Sequence, residues 1–408
     1  MTSKRGSESN GRLSVVYSFP HPLGAPGIGW TAWNQVVELV AAGHEVHLVT
    51  SSVARPVPGL ASSQRTLELA GLRVPHRAVG RDRAFRHHDR IAAGVVRRVR
   101  PDVVHGWPLA ATRTFAAAAE VGAASLREAP NTHTAHAFEV VAEECALLGV
   151  DLPATASHAA NAAHLAIEER EWAAATAVLA PSDAVARSFV ERGHDPRRLV
   201  RHRYGARASA HATVASAPPR RHDGGPVVLF LGRLEPRKGL HYALRAWSQS
   251  LLREAGGRFV VHGEAIPSYA THLAPLLEQP GVELRGFTSD PSAALAGADA
   301  LVLPTIEEGS ALVTYEAQIA GCIPLVSSAA GAYLDHGVHG LVHAPRDVDT
   351  LCAQFDLLAS DPAARARMSA AAVAHAPELS WEAAGRALVE AYREALERRR
   401  EVAHAVAE

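Results

Sequence analysis

Short apolar runs alternate with segments of helical periodicity along most of this chain, and they do so in two series. The first opens with a β-rich run at 13–17, then a loop dense in proline and glycine at 21–29. Trp33, Val36, Val37 and Val40 follow at helical spacing, Gly43 stops the helix, and a second strand is expected at 45–50. Such strand–loop–helix–strand units pair their strands in parallel beneath covering helices. Runs at 102–105, 123–127 and 177–180 continue the series, the last leading into a helix at 182–192 that Ser182 or Asp183 would cap. The stretch 205–225 is rich in Ala, Ser, Pro, Arg and His, lacks periodicity and reads as a linker. A second series places strands at 226–231, 258–262, 282–284 and 300–303, and the chain ends in an amphipathic helix at 381–400.

These series predict an α/β fold of two doubly wound, Rossmann-like domains facing across a cleft. The expected divisions are a disordered leader at 1–11, an N-terminal domain at 12–206, a linker at 207–225 and a C-terminal domain at 226–378. A terminal helix at 379–408 is expected to pack back on the N-terminal domain. In such sheets ligands lie beyond the carboxyl ends of the strands, so the site belongs in the cleft.

Composition narrows the class. The 408 residues suffice for two sizeable cores; 48% are hydrophobic, 20% are charged, and the formal net charge is −1. That excludes a disordered chain and a polybasic partner of nucleic acid. No apolar run reaches the roughly 18 residues of a membrane span, and the first ten residues show no secretory h-region. Cys145, Cys322 and Cys352 are odd in number and share no metal-like spacing, which predicts a reduced, cytoplasmic chain. Of 41 basic residues only Lys4 and Lys238 are lysine. Richness in Arg and Ala suggests a high-GC, bacterial genome, and a lysine kept in the folded part has a specific task.

Two segments carry the chemistry. Gly232-Arg-Leu-Glu-Pro-Arg-Lys-Gly239 follows a buried strand and places Arg233 and Lys238 at the cleft mouth. A planar fork and a point charge suit a diphosphate. The second segment, Glu308-Gly-Ser-Ala-Leu-Val-Thr-Tyr-Glu316, also follows a buried strand. Backbone amides of Ser310, Ala311, Leu312, Val313 and Thr314 at a helix start would face an anion. Glu308 would stay in the loop, and Glu316, farther into the helix, would accept from two ribose hydroxyls.

With these motifs the chain resembles the family 4 glycosyltransferases of GT-B fold. The likeness rests on Gly-Arg-Leu-x3-Lys-Gly at 232–239 and Glu-x7-Glu at 308–316. Gly43-His-Glu-Val46, Asp102-Val-Val-His105, Ala180-Pro-Ser182, Tyr204-Gly205 and Trp381-Glu382 add to it. The resemblance implies a retaining transfer from a UDP- or GDP-linked sugar, without a metal, to a small-molecule or glycan acceptor. It implies that Gly232, Arg233 and Lys238 bind the diphosphate, that Glu316 holds the ribose and that Glu308 meets the transferred sugar with Gly309 beside it. Gly27 would match the glycine of the loop that closes over the diphosphate. The chain departs from the family at Pro26-Gly27, where a glycine pair is usual, and at Ser310-Ala-Leu-Val313, where Phe-Gly-Leu-Pro is common. Rival readings are a GT-B epimerase or phosphorylase and a silent sugar-nucleotide-binding module.

The N-terminal half is expected to bind the acceptor through His105, Trp107, Glu128 and His136, with His133, which matches a family histidine, beside the donor sugar. Asp347 and Asp349 sit where a helix begins and read as capping rather than metal-binding residues. The basic stretch 81–100, with Phe85 and Ile91, reads as a solvated helix face or a weak contact with anionic lipid.

Overall fold

The computed structural model describes residues 11–69, 72–74, 79–153, 156, 158–207 and 225–407. The expected leader, apart from Gly11, and the expected linker, apart from Arg207 and Gly225, lie outside the described residues.

The first sheet is wholly parallel. Its strands are β1 (Ser14–Leu23), β2 (Glu45–Val53), β3 (Ser62–Arg65), β4 (Val103–Gly106), β5 (Ala124–Glu128), β6 (Ala177–Ala180) and β7 (Leu199–Arg201), in the order β3-β2-β1-β4-β5-β6-β7. The second holds β8 (Val227–Leu231), β9 (Arg258–His262), β10 (Val282–Gly286), β11 (Ala300–Leu303), β12 (Ile323–Ser327) and β13 (Leu341–His343), ordered β10-β9-β8-β11-β12-β13. Each therefore reverses direction beside its first strand, where a crevice opens. The register pairs Val16 of β1 with His47 and Val104, and Leu229 of β8 with Val260 and Leu301. Val227, Val228, Leu229 and Phe230 are at most 3% exposed, which is why β8 is apolar on both faces. Phe230 packs under Leu244 and Trp247 of the helix Leu240–Gln249, and Leu229 packs against Leu295 and Ala317 on the other side.

Expectation and structure differ in instructive places. β1 runs on through Pro20 and Pro22, where a loop was expected. Beyond Ser18 it no longer pairs with β4, so prolines remove no ladder bond on that side, and its register with β2 shifts between Phe19 and Pro22. β3 is a fully exposed polar edge, β7 and β13 have three residues each, and β12 carries Pro324; none shows a strand-like run in the sequence.

The terminal helix, Trp381–Ala407, lies on the N-terminal sheet. Leu388, Val389, Ala391, Tyr392 and Ala395 share a core with Tyr17, Phe19, Trp107 and Leu126. The helix Thr134–Leu148 joins the halves in the other direction. Its Glu144 is buried and accepts hydrogen bonds from Tyr242 Oη (2.7 Å) and Arg346 Nε (2.8 Å), with His241 Nε2 at 2.9 Å. Burial pushes the Glu144 carboxyl up, but these partners outweigh it and hold it below its ordinary range. Removing one member of such a buried set strands the others. Glu144→Ala is therefore expected to cost about 3 kcal/mol in urea unfolding, and a loss within experimental error would show that the domains do not depend on this latch.

Candidate active site

β8 ends at Leu231, and the chain turns through Gly232 and Arg233 into a single 3-10 turn, Pro236–Lys238. Gly239 then adopts φ 70°, and a Cβ there would stand 2.1 Å from the Pro304 carbonyl oxygen. Only glycine lets the turn seat against the end of β11. The Arg237 carbonyl accepts from Ile306 N (2.8 Å) and Thr305 Oγ1 (2.7 Å), so the cationic and acidic segments form one unit.

Within that unit Arg237, which sequence reasoning passed over, is the centre. Its Nη1 donates to Glu308 Oε2 and to the Glu307 carbonyl, each at 3.0 Å, and its Nε lies 2.8 Å from Glu235 Oε1. Lys238 is ion-paired to the same Glu308 Oε2. Both cations thus hold the same carboxylate oxygen of Glu308. Burial alone would raise the Glu308 carboxyl; the charges of Arg237 and Lys238 prevail and bring it to about 2. Arg233 differs, with a side chain 58% exposed. It lines a cavity of about 590 Å³ with Gly232, His262, Glu264, Thr288 and Phe287, the last 73% exposed.

The helix Leu312–Ile319 starts where expected, but its amides are not all open. Ala311 N donates to the Ala330 carbonyl (3.1 Å) and Thr314 N to the Ala311 carbonyl (2.9 Å). The amides of Ser310, Leu312 and Val313 have no such backbone acceptor among the described residues. Leu312 and Val313 turn their side chains into cores, and Ser310 Oγ meets Tyr315 Oη at 3.1 Å. Glu316 is half-buried, and its carboxylate has no hydrogen-bond partner among the described residues; burial pushes it up to about 7.

Gly309 is clasped by the N-terminal domain. A Cβ there would lie 1.8 Å from the Pro130 carbonyl oxygen, and Ser182 Oγ, which also caps its own helix, donates to the Gly309 carbonyl. Glu307 reaches the same way: it accepts from Thr132 Oγ1 (2.6 Å), and its other oxygen lies 3.1 Å from His158 Nε2. Nothing in the sequence marks Glu307, because its partners are 175 and 149 positions away. Gly27 has φ 76° and begins the helix Ile28–Ala41 with open space around its Cα.

The expected acceptor residues are placed differently. His105 is fully buried, with Tyr392 Oη at 2.7 Å and Glu128 at 3.2 Å. Trp107, 1% exposed, donates to Tyr17 Oη (2.8 Å). Glu128 is fully buried and receives bonds from Tyr204 and Gln35, with His202 at 2.9 Å; burial raises its carboxyl, and the histidines bring it far below the usual range. All three sit inside the sheet under the terminal helix, out of reach of an acceptor. His133 also turns inward: it caps the helix Thr134–Leu148 by accepting from Ala135 N, and its ring packs on Trp172, Phe189 and His194. Burial, then the charges of His194 and Arg192, lowers it to about 4, so it is neutral at pH 7. His136 stands half-buried on that helix.

A cavity lies a few residues farther out, beyond the ends of β1, β4 and β5. It holds about 270 Å³ between Leu109, Asn131, Phe85, Phe138 and Trp172, with Arg127 and Glu168 at its floor and Arg81 and His164 also lining it. Arg127 is 1% exposed and bonded to Glu168 (2.5 Å) and the Glu128 carbonyl (2.7 Å). The helix Arg81–Val99 keeps Phe85 inside at 4% exposure, so its outer face offers arginines without an apolar anchor. Asp347 caps the helix Val348–Ser360 by accepting from Thr350 N (2.9 Å). Among the described residues no group of three or more His, Cys, Asp or Glu could hold a metal ion, and no helix is long and apolar enough to cross a membrane.

Two parallel α/β halves meeting at their strand ends, with paired cations and carboxylates between them, define a GT-B enzyme. Solved structures agree in fold: HepE of Anabaena bound to UDP superposes with a TM-score of 0.62 at 15% identity, covering 92% of this chain and 98% of that one. Sucrose-phosphate synthase of Thermosynechococcus elongatus gives 0.63 at 17%, covering 94% and 99%. Residues 26–202 match the model of glycosyltransferase family 4, and residues 225–361 that of glycosyl transferases group 1. The D-inositol 3-phosphate glycosyltransferase of Thermobispora bispora is 31% identical over 253 residues, 57% of this chain and 59% of its own length, less than two thirds. That of Nocardia farcinica is 26% identical over 428 residues, 97% of this chain and 92% of its own. The chain is a glycosyltransferase of the family 4 type.

Glu316 provides a test without substrates. Its carboxyl titrates at about 7 in the folded chain against an ordinary 4.5, so the folded state holds the proton across that window. The stability this contributes is complete below 4.5 and is lost as pH rises through about 7. Glu316→Gln cannot suffer that loss. Relative to wild type it should gain on the order of 1–3 kcal/mol between about pH 5 and pH 8, measured by urea unfolding; parallel pH profiles would place the raised group elsewhere.

Proposed function

We propose that this glycosyltransferase moves a sugar, with retention, from a UDP- or GDP-linked donor to a small polar acceptor in the N-terminal pocket. The observation that carries this reading is the fixed Glu308, one carboxylate oxygen held by both Arg237 and Lys238, with the exposed Arg233 on the same loop. Departure of a nucleoside diphosphate develops negative charge. Arg233, Lys238 and the amides of Ser310, Leu312 and Val313 meet it from directions set before the reaction, which is where preorganised donors act most strongly. The nucleoside is assigned to the cavity that Arg233 lines, where Phe287 offers a face to the base, and the family resemblance gives Glu316 the ribose. The leaving phosphate helps take the acceptor proton, so no protein nucleophile is needed.

The pocket supplies the acceptor side. Its floor of Arg127 and Glu168 suits hydroxyls, and Arg81 and His164 suit a phosphate, in keeping with the inositol-phosphate enzymes this chain resembles. No metal is needed where two cationic side chains stand by the diphosphate.

Glu308→Gln should keep nucleotide affinity within a few-fold and cut kcat on the order of 10²-fold, as losing one charge-stabilising group does. Glu316→Gln should raise the donor KM more than it lowers kcat, because the ribose is bound equally in ground and transition states. Steady-state kinetics with calorimetry of UDP and GDP binding decides this, and the reverse pattern overturns the assigned roles. Transfer should also persist in EDTA; activity lost on chelation and restored by Mg²⁺ or Mn²⁺ would refute the metal-free reading.

A further inference from the structure

A third cavity at the domain boundary is separate from the two assigned above to donor and acceptor. There Arg187, on the helix Asp183–Glu191, stands with Arg201 and Arg203 beyond the ends of β6 and β7. Ser328 and Tyr333, beyond β12, face them from the other domain across a cavity of about 390 Å³. Toward the donor side the cavity ends at the contact of Ser182 with Gly309. A Cβ on Gly331 would lie 2.3 Å from the Gly309 carbonyl oxygen and 2.8 Å from Ser182 Oγ, so nothing larger than glycine fits that wall.

The charge in this cavity is one-sided. Its acids are Asp183, 2.9 Å from Arg201, and nearby Glu378, 2.9 Å from Arg203, and their side chains are 90% and 57% exposed. Pairs so open to water cancel little of a guanidinium's field. Arg187 has no ion-pair partner among the described residues. Arg203 lies over the Tyr333 ring and donates to its hydroxyl (3.2 Å), yet its buried Nε has no acceptor. A buried donor left unmade is costly, and a three-oxygen anion is what would satisfy it while accepting from the other forks.

We infer that this cavity binds a phosphate group, as inorganic phosphate or a small phosphomonoester, in a site separate from that of the nucleotide. A phosphate there is held by arginines of one domain and the Ser328 hydroxyl of the other. It therefore favours the arrangement in which Ser182 rests on Gly309, and through Gly309 it is coupled to Glu308. The inference does not depend on which nucleotide or acceptor the enzyme uses.

The test is thermal unfolding of the full chain titrated with inorganic phosphate and, separately, glycerol 3-phosphate, with ionic strength matched by chloride. Saturable stabilisation is expected in wild type and in Arg233→Ala, which reports on the donor side. The double variant Arg187→Ala/Arg201→Ala should lose at least ~10-fold in apparent affinity, since Arg–phosphate bonds are of the strong, charge-assisted class. Ser328→Glu, which sets a carboxylate opposite the arginines, should lose as much and serves if the double variant fails to fold. Equal affinity for the two probes supports a bare phosphate site, and tighter glycerol 3-phosphate supports an organic one. An unchanged response in the cavity variants, a response abolished by Arg233→Ala, or no saturable response in wild type would each overturn the inference.

Discussion

Arg237 is 12% exposed, and the carboxylates of Glu235, Glu307 and Glu308 stand around its guanidinium. A charge taken this far out of water costs several kcal/mol unless it is paired with good geometry. Here one fork orients three acids, each with a different task. Glu235 secures the turn that follows β8. Glu308 is fixed with one oxygen occupied. Glu307, with its carbonyl on the guanidinium and its carboxylate 3.6 Å away, is directed across the cleft to Thr132 and His158. The same residue therefore fixes the Glu308 carboxylate and carries the contact by which Glu307 joins the N-terminal domain. Lys238, 14% exposed against 12% for Arg237, adds a second charge on Glu308.

The N-terminal half uses its polar residues in two layers. Within the sheet, Glu128 gathers His105, His202, Tyr204 and Gln35, and the Tyr392 hydroxyl of the terminal helix reaches His105. This network joins β5 to the chain leaving β7 and to the last helix, so it holds the sheet against the segment that crosses between domains. A few residues beyond the strand ends a second layer begins, with Leu109 and the turn from Pro130 to Thr132. Leu109 has φ 69°, held by Glu171, which accepts from the amides of Leu109 and Ala111. Backbone outside the ordinary regions is retained where surroundings enforce it, and here it shapes the wall of the N-terminal cavity.

Much of this was legible in the residues. Continuous apolar runs such as 227–231 and 300–303 announce strands covered on both faces, and their periodic successors announce the covering helices. The glycine and charge pattern at 232–239 and 308–316 marked two loops that follow buried strands, and the structure brings these loops together. Edge and short strands gave no signal, since β3 is polar on both faces and β7 and β13 are too brief for a period of two to show.

What the sequence by itself determined is therefore the alternation of elements, the two domains, and the cationic and acidic segments that follow buried strands. What only the tertiary structure decided is which side chains face the cleft. Arg233, Arg237 and Lys238 stand within six positions, yet Arg233 is 58% exposed while Arg237 and Lys238, 12% and 14% exposed, close on one carboxylate. His105, Trp107, Glu128 and His133 have the chemistry of a binding site and are packed away from it. Local sequence fixes residue type and periodicity, but exposure depends on partners such as Tyr392, 287 positions from His105. Burial of that kind is settled when distant segments pack, and no local signal precedes it.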